Sequence, residues 1–172
     1  ILAAAVAISL QPQLSTAAEP VLTFTRLWTY SHAPNAGQVS EIPAFDERTN
    51  TLWIAGVVGV DVLDAETGAL VEHIDTTGYG SINSVAIHKG IAAFAIEGSP
   101  RTAPGKVVFY DTKTRLLSTD ANPVVTVGAL PDMLTFNHDG SKLLVANEAT
   151  PSTYGARIGT SVPRVYGPAP SD

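Results

Sequence analysis

Short apolar runs separated by polar turns recur along the chain between Glu41 and Glu148. Three stretches start with a polar residue and continue into an apolar strand: Glu41–Asp46, Asn83–His88 and Asp132–Asn137. Each is followed, across a turn, by a second apolar run: Thr51–Gly56, Ile91–Ile96 and Lys142–Asn147. A repeat of roughly 40 to 50 residues built from short strands is typical of β-propeller blades. The pattern therefore predicts an all-β fold.

Two more runs complete the first two repeats as four-stranded antiparallel blades. The third and fourth strands are predicted at Gly59–Asp64 and Ala69–Ile74 in one repeat, and at Lys106–Asp111 and Val124–Val127 in the next. Asp64 and Asp111 are expected to form turns, because an Asp side chain accepts hydrogen bonds from the backbone that follows it. Val21–Tyr30 is rich in β-formers and is predicted to be a further strand. The third repeat shows only two strands, so the sequence predicts about two and a half blades of a larger ring.

The two ends of the chain differ in composition from the repeats. Residues 1–18 are interpreted as the remnant of a secretory signal peptide, because the apolar run Ile1–Leu10 precedes a small-residue site at Ser15–Ala18. Residues 19–148 are predicted to be the N-terminal blades of a β-propeller. Residues 149–172, rich in Pro, Gly and Ser, are predicted to be a loop or a disordered tail. We therefore expect a secreted, periplasmic or cell-surface protein whose remaining blades lie in a longer chain.

Charge and cysteine content exclude several classes of function. The net charge is −6 and basic residues form no cluster, so a nucleic-acid backbone would be repelled. The chain has no cysteine, which excludes disulfides, thiolate metal sites and a cysteine nucleophile. No apolar run reaches the roughly 20 residues that a membrane-spanning helix needs, so no transmembrane segment is predicted in this stretch.

Three polar residues occupy the same position in successive repeats: Glu41, Asn83 and Asp132. Inner strands line the central channel of a propeller, so these side chains are predicted to converge there on a ligand. Their oxygen atoms are the kind that calcium prefers, which makes calcium the candidate cofactor. The alternative is structural, with each side chain capping backbone amides of a neighbouring blade.

Carboxylates also follow the second strands of two repeats, at Glu97 and Glu148. The first repeat has Gly56 at the corresponding place, so the pattern is incomplete. A metal site would combine these two residues with Glu41 and Asp132. Alternatively, both glutamates are simply solvated at the ends of their strands.

Catalytic residues are not identified by sequence motifs. No Gly-x-Ser-x-Gly elbow is present, and Ser84, in an inner strand, has no base partner that the sequence reveals. The four histidines, none of them at a metal-ligand spacing such as His-x-x-x-His, are His32, His73, His88 and His138.

Several longer stretches carry a family resemblance, most specifically Val125–Phe136 with its Gly-Ala-Leu-Pro-Asp-Met run. Others are Val60–Asp64, Asn83–Ala86, Pro104–Phe109 and Leu144–Glu148. From Gly37 through Glu148 the chain resembles the choice-of-anchor I domain family, which includes mesenchyme-specific cell-surface glycoproteins. The resemblance implies a secreted, seven-bladed-propeller-like domain, of which this chain would supply the N-terminal part.

One segment departs from the family pattern. Members usually continue after Asn-Glu with an acidic loop, whereas this chain has Ala149–Tyr154 without an acidic residue. A cation site built by that loop is therefore not expected here.

Three functional hypotheses follow. The leading hypothesis is an exported β-propeller recognition module that binds an extracellular or surface ligand of unknown identity. The alternative, drawn from a label carried by some bacterial relatives, is an exported cation-dependent phosphoesterase, alkaline phosphatase-like, or a related hydrolase. That enzyme would use Glu41, Asn83 and Asp132 as ligands. A third hypothesis makes the blades a scaffold inside a longer multidomain chain.

Overall fold

A computed structural model describes residues 23–32 and 35–149 of the chain. The predicted signal-peptide remnant, and all of the predicted tail except Ala149, lie outside these residues. The described part contains ten β-strands and no helix. The strands are β1 Pro43–Asp46, β2 Thr51–Ala55, β3 Gly59–Asp64, β4 Leu70–Asp75, β5 Ile82–His88, β6 Ile91–Ile96, β7 Pro104–Asp111, β8 Val124–Ala129, β9 Pro131–Phe136 and β10 Leu143–Asn147.

The strands form consecutive antiparallel sheets in chain order. The first sheet has the order β1-β2-β3-β4, the second β5-β6-β7-β8, and β9 pairs with β10. Two four-stranded meanders followed by the beginning of a third are the arrangement of β-propeller blades. The predicted all-β fold and its four-stranded repeats are confirmed. We call the two complete sheets blade 1 and blade 2.

Blades 1 and 2 pack face to face through an apolar core. Phe94 of β6 lies at its centre, 6.1 Å from the ring of Trp53 and stacked at 4.8 Å on Tyr110 (centroid distances). Alternation along β3 places Val60 and Val62 in the same core. The remaining buried members are Ala55, Ile74, Ile82, Val85, Ala92, Ile96 and Val108.

A second core joins blade 2 to β9 and β10. Leu134 of β9 is buried against Ala93, Ala95 and Val107 on the opposite face of blade 2. Both faces of blade 2 are therefore covered. The other face of the β9–β10 pair exposes Met133 (47%) and Leu144 (58%).

The predicted turn-forming role of Asp64 and Asp111 is confirmed. Asp64 Oδ1 accepts hydrogen bonds from the Thr67 hydroxyl and backbone N–H, both at 2.8 Å, and Asp111 Oδ1 accepts from the Thr114 N–H at 2.7 Å. These bonds favour the charged carboxylate and lower the pKa of both aspartates. The largest cause is the hydrogen bond from the Thr67 hydroxyl at Asp64 and the one from the Thr114 N–H at Asp111. In each turn, the negative charge of the Asp side chain is therefore stabilised by donors of the same turn.

The strand predicted at Val21–Tyr30 is wrong for the part that the structure describes. Residues 23–30 form no strand, and Phe24 and Leu27 are 91% and 78% exposed. Side chains hold the segment instead of a backbone ladder, beginning with Trp28, whose Nε1–H donates to the Ala65 carbonyl at 3.1 Å. Residues that favour strands do not form one where no neighbouring strand edge accepts their backbone.

We expect Phe94→Ala to lower the free energy of unfolding by about 3–5 kcal/mol, because it leaves a cavity between blades 1 and 2. Phe45→Ala is the matched control, since Phe45 is 54% exposed and surface substitutions change stability by about 0.5 kcal/mol or less. Urea unfolding of the full-length protein measures both. Equal losses from the two variants would contradict the assigned core.

Candidate functional site

Two recesses open at the same end of blades 1 and 2. The loops between consecutive strands of these blades meet there, at residues 56–58, 76–81 and 97–103, and we call this region the loop end. The larger recess, about 470 Å³, lies between the two blades. Its lining residues are Val57, Thr77, Gly80, Ser81, Glu97, Gly98, Ser99, Pro100 and Arg101.

The smaller recess, about 330 Å³, lies against blade 1 and shares Thr77 with the larger one. Its other lining residues are Asn35, Ala36, Val58, His73 and Asp75. Together the two recesses present hydroxyl, amide, imidazole, carboxylate and guanidinium groups. Such a lining suits a polar ligand.

Local hydrogen bonds fix the shape of the loop end. Asp75 Oδ1 accepts from the Thr77 hydroxyl at 2.6 Å and from its backbone N–H at 2.7 Å, and these bonds lower the pKa of Asp75. Glu97 and Arg101 form an ion pair at 2.9 Å on the wall of the larger recess. Gly80 has φ +137, which residues with a side chain rarely adopt.

A buried carboxylate lies beside the smaller recess. Asp61, in the middle of β3, is fully buried, and cross-strand pairing places His73 of β4 next to it on the same face of blade 1. Gly59 allows this approach, because a Cβ there would meet the Ile74 carbonyl at 2.3 Å and the His73 ring at 2.8 Å. The N-terminal segment passes over this face and brings Tyr30, His32 and Asn35 to the same carboxylate.

Asp61 accepts four side-chain hydrogen bonds. Oδ1 accepts from His73 Nδ1 at 2.5 Å and from the Asn35 amide at 3.1 Å. Oδ2 accepts from His32 Nδ1 at 2.6 Å and from the Tyr30 hydroxyl at 3.1 Å. A carboxylate has about four lone-pair sites, so this one is saturated. The four donors compensate for the cost of removing its charge from water.

The second nitrogen of His32 is also engaged. His32 Nε2 lies within hydrogen-bonding distance of the Ser40 hydroxyl, which is on the exposed strand-entry segment. In the tautomer that donates Nδ1–H to Asp61, Nε2 carries the lone pair and accepts a hydrogen bond from the Ser40 hydroxyl. Ser40, His32 and Asp61 thus form a continuous hydrogen-bonded chain.

Burial, followed by the negative charge of Asp61 and the hydrogen bond to it, raises the pKa of Tyr30 to about 12. The phenol therefore stays neutral and remains a donor to Asp61 over the physiological range. This interaction ties the N-terminal segment to the strand that carries Asp61.

The structure places Glu41, Asn83 and Asp132 at the same end of the inner strands. Glu41 precedes β1 and is exposed, as is Asp132 in β9. Asn83, in β5, donates its amide to the Pro131 carbonyl at 3.1 Å and so bridges blade 2 to β9. That bond ties Asn83 to the backbone of the neighbouring blade, while both the convergence of the three side chains on a ligand and their capping of backbone amides stay predictions.

The predicted metal ligands also lie at the loop end. Glu97 is paired with Arg101, and Glu148 is exposed directly after β10. Across residues 23–32 and 35–149, no group of three His, Asp or Glu side chains is placed to share a metal ion. Calcium binding by Glu41, Asp132, Glu97 and Glu148 therefore stays a prediction, and no contact between these residues supports it.

The sequence interpretation missed Asp61 and the residues around it. One signal was available, since Asp61 lies inside the apolar run Gly59–Leu63, where a charged side chain needs partners if the strand is buried. The sequence did not indicate which residues those partners are. His32 and Ser40 lie far from Asp61 in sequence, and only the path of the N-terminal segment brings them together.

A sequence profile described as "Choice-of-anchor I domain" matches residues 41–162. The chain belongs to the choice-of-anchor I domain family. The family resemblance seen in the sequence is thereby confirmed. The matched range includes all ten strands and begins after the segment that holds His32 and Ser40. A comparison with curated proteins gave no significant match.

Two solved structures are similar to this choice-of-anchor I chain. A protein of unknown function from Bacteroides caccae is 16% identical, with a TM-score of 0.48 over 78% of this chain and 48% of that one. The WD40 domain of SCAP from fission yeast is 12% identical, with a TM-score of 0.36 over 73% of this chain and 32% of that one. The chain thus spans about half of the first protein and a third of the second. Separately, residues 23–32 and 35–149 contain no helix long and apolar enough to cross a membrane.

We expect Tyr30 to titrate with a pKa of about 12 in the folded protein, against its ordinary value of 10.0. The folded state holds this proton more tightly than the unfolded state, so the contribution of Tyr30 to stability is complete below pH 10 and is lost as the pH rises through 12. The tyrosinate absorbance of wild type minus that of Tyr30→Phe isolates this group. A difference titration centred at 10 would contradict the burial of the phenol against Asp61.

Proposed function

We propose that this choice-of-anchor I protein is an exported β-propeller recognition module that binds a polar extracellular ligand at the loop end. One observation carries the proposal: two polar recesses, together built from four chain segments, open side by side and share Thr77. Loops held by a rigid β scaffold are the usual place for recognition in proteins.

The charges of the recesses favour an uncharged polar ligand. Glu97 and Arg101 neutralise each other on one wall, and Asp75 is satisfied by Thr77. The remaining polar groups are hydroxyls such as those of Ser81 and Ser99, together with the side chains of Asn35 and His73, which also bind Asp61. These groups bind hydroxyl- and amide-bearing ligands through hydrogen bonds rather than through charge.

Export is supported by the N-terminal sequence and by membership of the family. The apolar run Ile1–Leu10 and the small residues at Ser15–Ala18 have the pattern of a secretory signal. The family resemblance implies a secreted or cell-surface protein.

We expect Thr77→Trp to block both recesses, because Thr77 lines each of them. Full-length wild-type protein is screened on arrays of immobilised oligosaccharides and peptides, and bound probes are then titrated against the variant. Binding should weaken at least tenfold, which is about 1.4 kcal/mol.

Thr67→Trp is the matched control. Thr67 is exposed at the opposite end of blade 1 and binds Asp64 through its hydroxyl and N–H, as Thr77 binds Asp75. This variant should bind like wild type. The loop end is excluded as the binding surface if Thr77→Trp, with an unchanged melting temperature, also binds like wild type. The recognition hypothesis fails if no arrayed probe binds the folded protein.

The mature protein is expected to begin at Glu19. Cleavage after Ala18 would remove the apolar run, so mass spectrometry of the protein recovered from the extracellular or periplasmic fraction should give Glu19 as the first residue. Recovery from the cytoplasm with residues 1–18 attached would contradict export.

A further inference from the structure

We propose that Ser40, His32 and Asp61 form an activated serine that accepts an acyl group from a small uncharged ester. This inference goes beyond ligand recognition and does not depend on it. The three side chains are joined in the order hydroxyl, Nε2, Nδ1, carboxylate. That order is what a serine nucleophile, a general base and an orienting carboxylate require.

Each group has the exposure that its role requires. Asp61 is fully buried, and the His32 side chain is 15% exposed. Ser40 is exposed, so an ester can reach its hydroxyl from solvent. The carboxylate is therefore fixed inside the protein while the nucleophile faces the solution.

Asp61 acts as a positioning residue. It holds His32 through Nδ1, which leaves Nε2 as the proton acceptor facing Ser40. His73 and Asn35 hold the other carboxylate oxygen, and Tyr30 shares the oxygen that His32 uses. The carboxylate cannot rotate without breaking several of these bonds, which keeps the imidazole in place.

The reaction balances without a cofactor. The Ser40 oxygen attacks the ester carbonyl carbon while its proton passes to His32 Nε2. The bond between that carbon and the leaving alcohol then breaks, and His32 returns the proton to the alcohol. A water molecule repeats the sequence on the acyl-serine, which releases the carboxylic acid and restores Ser40.

Charge selects the substrate class. Asp61 lies behind the imidazole, Glu41 follows Ser40 in sequence, and the whole chain has a net charge of −6. These charges repel an anionic phosphate monoester and leave neutral carboxylic esters unaffected. A neutral fluorophosphonate, which reacts with activated serines, suits the site equally well.

Other serines offer internal controls. Ser84 is fully buried with its hydroxyl unpaired. Ser118 donates its hydroxyl to Asp120 at 2.9 Å, and the Ser141 hydroxyl accepts from Asn137 at 3.1 Å. In none of these three is the hydroxyl hydrogen-bonded to an imidazole, so they should react slowly.

The test is labelling of the full-length protein with a fluorophosphonate, followed by intact mass measurement and peptide mapping. We expect one adduct per chain, on Ser40, and a matching burst of p-nitrophenolate from p-nitrophenyl acetate. Ser40→Ala, at an exposed position, should abolish both signals without changing the melting temperature. His32→Gln should slow labelling about 100-fold or more, the contribution of a general base.

Asp61→Asn tests the positioning role, because it replaces one of the two accepting oxygens with a donor group, so labelling of Ser40 should be lost. Thr67→Ala, on the turn at the opposite end of blade 1, is the matched control and should label like wild type. The proposal is overturned if the folded wild-type protein gives no Ser40 adduct. It is also overturned if Ser118 or Ser141 labels as fast as Ser40, or if His32→Gln labels at the wild-type rate.

Discussion

The structure depends on the need to cover both faces of blades 1 and 2. A four-stranded blade rich in valine, alanine and aromatic residues has two apolar faces, and either one left open would be costly in water. Blade 2 meets this need twice, through Phe94 and its neighbours on one face and through Ala93, Ala95 and Val107 on the other. Blade 1 has blade 2 on one face only. The N-terminal segment covers the other, and that requirement brings His32 and Ser40 to Asp61.

The cover over blade 1 is polar where the contacts between sheets are apolar. Strands and blades pack by shape and area, whereas the N-terminal segment is held by directed hydrogen bonds to a buried charge and by Trp28 and Gln38. Such contacts fix orientation as well as position, because a saturated carboxylate tolerates little movement of its donors. The same arrangement that attaches the segment therefore leaves an imidazole aligned with a serine. In the proposed serine chemistry, structural support and reactivity would share one set of atoms.

The proposed recognition surface and the buried cores lie in different parts of the molecule. The strands supply the buried cores, while the loops of residues 56–58, 76–81 and 97–103 form the recesses. The loops are fixed by short-range bonds, such as Asp75 to Thr77 and Glu97 to Arg101, that do not draw on the core. If the recesses bind a ligand as proposed, changes to their lining would alter ligand choice with little effect on the blades.

The sequence by itself determined the repeat, the strands and the turns, because each is encoded locally. Short apolar runs bounded by turns marked β3 and β6 with their observed limits, and Asp64 and Asp111 marked their turns. Local signals failed where partners are distant: the segment before Tyr30 favours strand formation, yet no strand edge accepts it. Only the tertiary structure decided that His32, Ser40 and His73 meet Asp61, because that meeting depends on the path of one segment across a sheet face and leaves no periodic trace in the sequence.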